Sequence, residues 1–234
     1  MIKIRCYDDF FKALLNVGFS MACCSADGIY AIIDWGWNEP PPYDTPVVWH
    51  TGVPETDPWE WRMRVLNERS DIAYAKLFFK KSGFITREWY PYFLAVRRGG
   101  STFDESYDDG AISHSAKRIY DVVADNGPLP THTIKQMAGF GRDEKSTFDK
   151  ALTELQAKMF LTMCGKAFRS VQHEISNNAW ASTVMTTTER FFGDAVFMEA
   201  DIIPKETAFD KIREQILRLN PAAQEKNINK FIFG

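Results

Sequence analysis

Residues 127–139 read Gly127-Pro128-Leu129-Pro130-Thr131-His132-Thr133-Ile134-Lys135-Gln136-Met137-Ala138-Gly139, and the reading of the fold turns on them. A Gly-Pro pair cannot continue a helix, so it closes whatever precedes it. Upstream, Ser115 to Asn126 sets Ile119, Val122 and Val123 on one stripe at helical spacing, which predicts a helix ending at that pair. Downstream, Thr131 caps a short helix, Ile134 to Ala138, and Gly139 stops it. Two short helices therefore meet at a tight turn.

Further on, Phe148, Leu152, Leu155 and Met159 predict a third helix from about Ser146 to Lys158, with a strand at Phe160 to Met163 before Gly165. A second strand, Trp180 to Met185, returns after a polar span holding Lys166, Arg169, Gln172 and His173. Helix, turn, short helix, longer helix and hairpin follow in the order of a winged helix. Three short helices leave one side of their core open, and the hairpin covers it.

The first half is less regular. Asp8 to Val17 carries Phe10, Phe11, Leu14 and Leu15 and stops at Gly18, which predicts a helix. Residues 19–56 hold Pro40-Pro41-Pro42 and Pro46 and read mostly as loop. Asp57-Pro58 is an N-cap followed by proline at the first helical position, so a helix opens there. Ile72 to Phe79 reads as a strand, Ser82-Gly83 as a turn, and Arg87 to Arg98 as a helix capped by Thr86 and ended by Gly99-Gly100. Gly99 to Asp109, with Asp104, Glu105, Asp108 and Asp109, reads as a solvated linker. The expected architecture is α+β: tandem winged-helix-like domains, mainly helical, with small antiparallel β-hairpins. Residues 1–108 form the first domain, 109–200 the second, and 201–234 a C-terminal helical extension.

Composition bounds the function. The 234 residues are 45% hydrophobic and 25% charged with a net charge of −3, which excludes wholesale disorder. Uncharged apolar runs such as Gly28 to Ile33 are far below the ~18–20 residues of a membrane span. Acids at Asp8 and Asp9 interrupt the N-terminus before a signal core develops. Cys6, Cys23, Cys24 and Cys164 show no CxxC spacing, and the reading is a reducing, cytoplasmic setting. The histidines share no i, i+4 spacing, so no metal is expected. Gly99-Gly100 lacks the residues of a phosphate loop, no GxSxG elbow is present, and no cofactor is expected.

The basic signal is local. Residues 76–98 hold Lys76, Lys80, Lys81, Arg87, Arg97 and Arg98 against one acid, Glu88, interleaved with aromatics that include Phe78, Trp89 and Tyr92. That combination neutralises phosphate and stacks on unpaired bases. On the third helix of the second half, Lys145 and Lys150, with Arg142 before it, point to DNA, and Lys166 and Arg169 extend the basic set along the hairpin. Acids such as Asp149 and Glu154 are interleaved there, as on a helix that contacts another protein. Two carboxylates stand beside tryptophans, Asp34 before Trp35 and Trp37, and Glu60 between Trp59 and Trp61. Either is a candidate catalytic acid, and the four tryptophans are candidates for stacking or wedging.

Several strings resemble the AlkZ-like winged-helix proteins, DNA glycosylases that remove alkylated bases. They are the helix end Val17-Gly18-Phe19, the segment Ala75 to Pro91 with Glu88-Trp89-Tyr90-Pro91, the turn Gly127-Pro128-Leu129, and above all Thr56-Asp57-Pro58-Trp59-Glu60-Trp61-Arg62, which looks closest to short relatives of that family. The resemblance implies tandem winged helices cupping DNA, a glutamine pair aligning the hydrolytic water, and a hairpin probing the duplex. The sequence departs at the catalytic motif: where the family has glutamines or Gln-x-Asp, it has Met21 and Cys23, and neither aligns a water. The expected function is binding of nucleic acid, duplex DNA in first place, with the residues for the family's hydrolysis missing from the motif. Two alternatives stay open: an active glycosylase with a relocated acid, and a protein-interaction module on a winged-helix scaffold.

Overall fold

The computed structural model describes residues 3–24, 28–168 and 181–234. In chain order the elements are α1 (Tyr7–Val17), β1 (Phe19–Met21), α2 (Pro58–Glu68), β2 (Ile72–Phe78), β3 (Lys81–Thr86), α3 (Tyr90–Arg97) and α4 (Phe103–Asp108). Then come α5 (His114–Asn126), β4 (Leu129–Pro130), α6 (Thr131–Met137), α7 (Lys145–Ala157), β5 (Leu161–Phe168) and β6 (Ala181–Thr187). The chain closes with α8 (Thr188–Phe192), α9 (Asp194–Asp201), α10 (Lys205–Leu219) and α11 (Glu225–Phe233). The α+β class is as the sequence predicts.

The strands form one antiparallel sheet in the order β1-β3-β2-β5-β6-β4. In each half a short strand after the first helix pairs with the last strand of the following hairpin: β1 with β3, and β4 with β6. The halves join where Tyr74 of β2 faces Met163 of β5. This ladder is short, and side chains finish it. Gln156 Oε1 accepts from Lys76 N–H at 3.0 Å, and the Thr162 hydroxyl donates to Tyr74 O at 3.4 Å. A buried backbone group left unpaired would be costly, and these two bonds prevent it.

Alternation along β2 divides the first hairpin between two cores. Ile72 and Tyr74 pack with α1 and α2, whereas Ala73, Ala75 and Leu77 pack with α3 and the C-terminal helices. A third core, including Ile119, Ile134, Phe148 and Leu155, fills the second half. Leu152, expected among its inward residues, is only partly buried against it, and Ala151 takes the enclosed position.

Several local expectations change. The hairpin turn is Phe79-Lys80, both at positive φ, not Ser82-Gly83; two αL residues match the twist of a two-residue hairpin. Gly83 lies within β3 instead, because a Cβ there would meet the Phe78 ring at 2.4 Å and Ser20 O at 2.8 Å. The helix expected from Arg87 begins only at Tyr90, since Pro91 fits the first turn alone. The expected linker folds in part as α4: the Thr102 hydroxyl accepts from Glu105 N–H, Glu105 accepts from Thr102 N–H, and Phe103 is buried.

Candidate nucleic-acid interface

Two cavities flank the β2–β3 turn. Lys80 lines one and Lys81 the other.

The first is a groove of about 930 Å³ between the hairpin, α7 and the end of α11. Five lysines line it: Lys76 and Lys80 from the hairpin, and Lys145, Lys150 and Lys158 from or just after α7. Asp149 and Glu154 also line it, but Glu154 is held by the Ser113 N–H and hydroxyl at 2.9 and 2.7 Å. Beneath the groove lies Arg97. Its guanidinium turns inward and donates to the carbonyls of Leu77, Ala157, Phe231 and Ile232 at 2.7–2.8 Å. Burial pushes its pKa down to about 9, so it stays a cation at neutral pH.

The second cavity, about 380 Å³, is walled by aromatics. A chain of structural causes builds it. Gly18 ends α1 at φ +85°, and a Cβ on it would lie 2.0 Å from Trp89 Cδ1. With that approach open, β1 enters the sheet beside β3 and delivers Cys23 and Cys24 to the cavity wall. Asp57, fully buried, accepts from the N–H groups of His50, Gly52 and Trp59 at 2.8–3.0 Å. It therefore caps α2 and pins the preceding loop in one set of bonds. That loop carries Trp37 and Trp49 to the cavity and His50 to a position beside their rings. The His50 ring centre lies 4.9 Å from that of Trp59, 6.2 Å from Trp37 and 6.3 Å from Trp49. Arg62 completes the wall, its guanidinium carbon 3.3 Å from the Trp59 ring centre and its Nε donating to Trp59 O.

The four tryptophans named from sequence separate. Trp37 and Trp59 are 64% and 42% exposed, whereas Trp35 and Trp61 belong to the core. Trp61 donates its indole N–H to Pro54 O, and the Trp35 carbonyl accepts from the Trp49 indole. The candidates for stacking thus narrow to Trp37 and to Trp59, whose ring carries the Arg62 guanidinium, with Trp49 and His50 as ring neighbours. In the sequence His50 is an isolated histidine, and its aromatic neighbourhood depends on contacts that no spacing reveals.

Neither suggested acid lines the aromatic cavity. Asp34 is exposed, and its charge is one cause of the raised pKa of the Tyr30 phenol, after burial. Glu60 faces Lys166 of β5, at 3.6 Å, in a separate small cleft. At the motif positions, Met21 is 1% exposed in β1, and Cys23 lines the cavity as a thiol whose pKa burial raises.

The basic residues also divide. Lys80, Lys145 and Lys150 meet in the groove. Arg87 is paired in bidentate fashion with Glu199, and Arg98 donates a single bond to Glu189 while lying 4.3 Å from the Phe160 ring centre. Arg97 leaves the expected phosphate-neutralising set because its donors serve carbonyls. Arg142 is exposed just before α7. Arg169, with Gln172 and His173 of the expected polar span and Trp180, lies outside the described residues.

No group of three or more His, Cys, Asp or Glu among the described residues is placed to hold a metal ion. No helix among them is long and apolar enough to cross a membrane.

The antiparallel sheet with helices on both sides, with a lysine-lined groove and an aromatic cavity at one hairpin, defines an α+β chain. The family described as AlkZ related matches it over residues 4–233, and the chain belongs to that family. No curated protein and no solved structure matches it.

Proposed function

We propose that this protein binds DNA through the lysine groove and receives an unstacked base in the aromatic cavity, without hydrolysing the N-glycosidic bond. The observation that carries the reading is the convergence of Lys76 and Lys80 with Lys145, Lys150 and Lys158, remote in sequence, around one groove beside the tryptophans. Phosphates are held by such lysines in a salt-dependent way, and aromatic faces accept bases of any sequence. Family membership supports a role in DNA repair.

The order α5–β4–α6–α7–β5–β6, with β4 on β6, supports reading residues 109–200 as a winged helix with α7 as its recognition helix. The order α1–β1–α2–β2–β3, with β1 on β3, supports the same reading of residues 1–108, in which an irregular loop replaces the middle helix. Residues 201–234 then form a helical extension packed on the first unit.

The absence of hydrolysis follows from chemistry. Among the described residues that line the aromatic cavity none is a carboxylate or an amide, the two kinds of group that the AlkZ-like motif uses to align the hydrolytic water. The test is a salt titration of duplex affinity for the parent and for Lys80→Ala, Lys145→Ala and Lys150→Ala. Each variant is expected to bind more weakly and to flatten the log–log salt slope by about 0.9 per lost phosphate contact. A triple variant with the parent's affinity and slope would leave the groove without a phosphate role.

A further inference from the structure

Resting on the DNA reading above, we infer that the aromatic cavity selects an uncharged flat ring, such as an unmodified or neutral nucleobase, and rejects a ring that carries a positive charge.

The walls carry the argument. A cationic ring gains most from stacking on an open tryptophan face. Here the Trp59 face is already covered by the Arg62 guanidinium at 3.3 Å, fixed by the bond from its Nε to Trp59 O at 2.8 Å. A second cation, Lys81, stands on the opposite strand wall with Ser82. Both would repel a positive ring brought into the cavity. Two carboxylates are neighbours. Asp57 is turned onto three backbone N–H groups, and Glu39 accepts from Gly36 N–H at 2.8 Å. Neither is among the lining residues. A neutral ring is accommodated differently: it stacks on the flat guanidinium of Arg62 or on the exposed face of Trp37. Lys81 is then free to meet the phosphate attached to that ring. The cavity's volume, about 380 Å³, has room for one base and its sugar.

The experiment uses the full chain and two free nucleotides followed by tryptophan fluorescence: deoxyadenosine 5′-monophosphate, whose ring is neutral (the neutral nucleotide), and its N1-methyl derivative, whose ring is cationic (the cation), both with the same anionic phosphate. The neutral nucleotide is expected to bind about tenfold more tightly than the cation at low salt. Lys81→Glu, on an exposed strand end, is expected to narrow or reverse that ratio, and Trp37→Ala to weaken the neutral nucleotide, both with unchanged circular dichroism. A one-base bulge carrying 2-aminopurine separates a base presented by DNA from a free nucleotide: its fluorescence is expected to be quenched on binding. Equal or tighter binding of the cation overturns the inference, as does failure of both nucleotides and the bulged base to bind. Duplex affinity and salt slope, measured on the same preparation, report the lysine groove separately. If they vanish while the nucleotide preference persists, the DNA reading falls and the cavity's selectivity stands.

Discussion

A Cβ placed on Gly18 would lie 2.0 Å from Cδ1 of Trp89. The glycine is thus required twice, by its φ of +85° and by the indole that occupies the space of a side chain. The contact locks the end of α1 against the segment leading into α3, and it sets the path by which β1 reaches the aromatic cavity.

Gly18→Ala is therefore expected to destabilise the fold by about 2–4 kcal/mol, a sum of left-handed backbone strain and overpacking. For a chain of this size that corresponds to a fall in Tm of roughly 5–15 °C. A thermal melt within about two degrees of the parent would show that the indole moves aside at no cost.

Arg97 joins four carbonyls contributed by β2, α7 and α11. Replacing it by Met removes the donors and leaves those carbonyls facing an apolar side chain, at an expected cost of about 3–5 kcal/mol. Arg97→Lys keeps the charge but not the planar fork, and should fall between the two. Urea midpoints give the ranking, and limited proteolysis should find α11 released first. Equal stability of parent and Arg97→Met would refute the joint.

Much of this arrangement is legible in the sequence alone. Asp57-Pro58 announces α2, the Gly127-Pro128 stop announces the end of α5, and the stripe through Phe148 and Leu155 announces α7, because each depends on neighbours within a few residues. The three-residue β1 is not announced, since only its pairing with β3 makes it a strand. Thr102 and Glu105 carry a readable capping-box signal, but the acids around them resemble linker. Arg97 and Arg98 are adjacent and chemically alike, yet one serves carbonyls and the other pairs with Glu189. Such partners, 20 to 135 residues away in the chain, leave no trace in local spacing. The same holds for the meeting of Lys80 with Lys145 and Lys150.

Buried phenols give the protein an alkaline limit. Burial raises the pKa of Tyr120 to about 12, and it raises Tyr90 and Tyr7 further. In the unfolded chain these groups ionise near pH ~10. Above that pH the unfolded state holds fewer protons than the native state, so stability is full below ~10 and falls as pH rises through about 10 to 12. Urea midpoints at about pH 8 and about pH 11 should show the loss. Absorbance near 295 nm should find fewer tyrosinates in native than in unfolded protein at about pH 11; identical titration of all eight tyrosines in both states would contradict it.

The last prediction concerns chemistry at the base. Excision of a base passes through an oxocarbenium-like state that needs a nearby anion or an oriented water, and the base must first leave the stack. Met21 is enclosed in β1, and Cys23 is a thiol held protonated by burial, so the motif positions supply neither. Asp34 is exposed outside the cavity lining, and Glu60 faces Lys166. The expected outcome is no release of free base from methylated duplex DNA by the parent, and no change on Asp34→Asn or Glu60→Gln. Release abolished by either substitution would establish a relocated acid and overturn the binding-only reading. Release that survives both would also overturn it, and would direct attention to water held by groups beyond these two carboxylates.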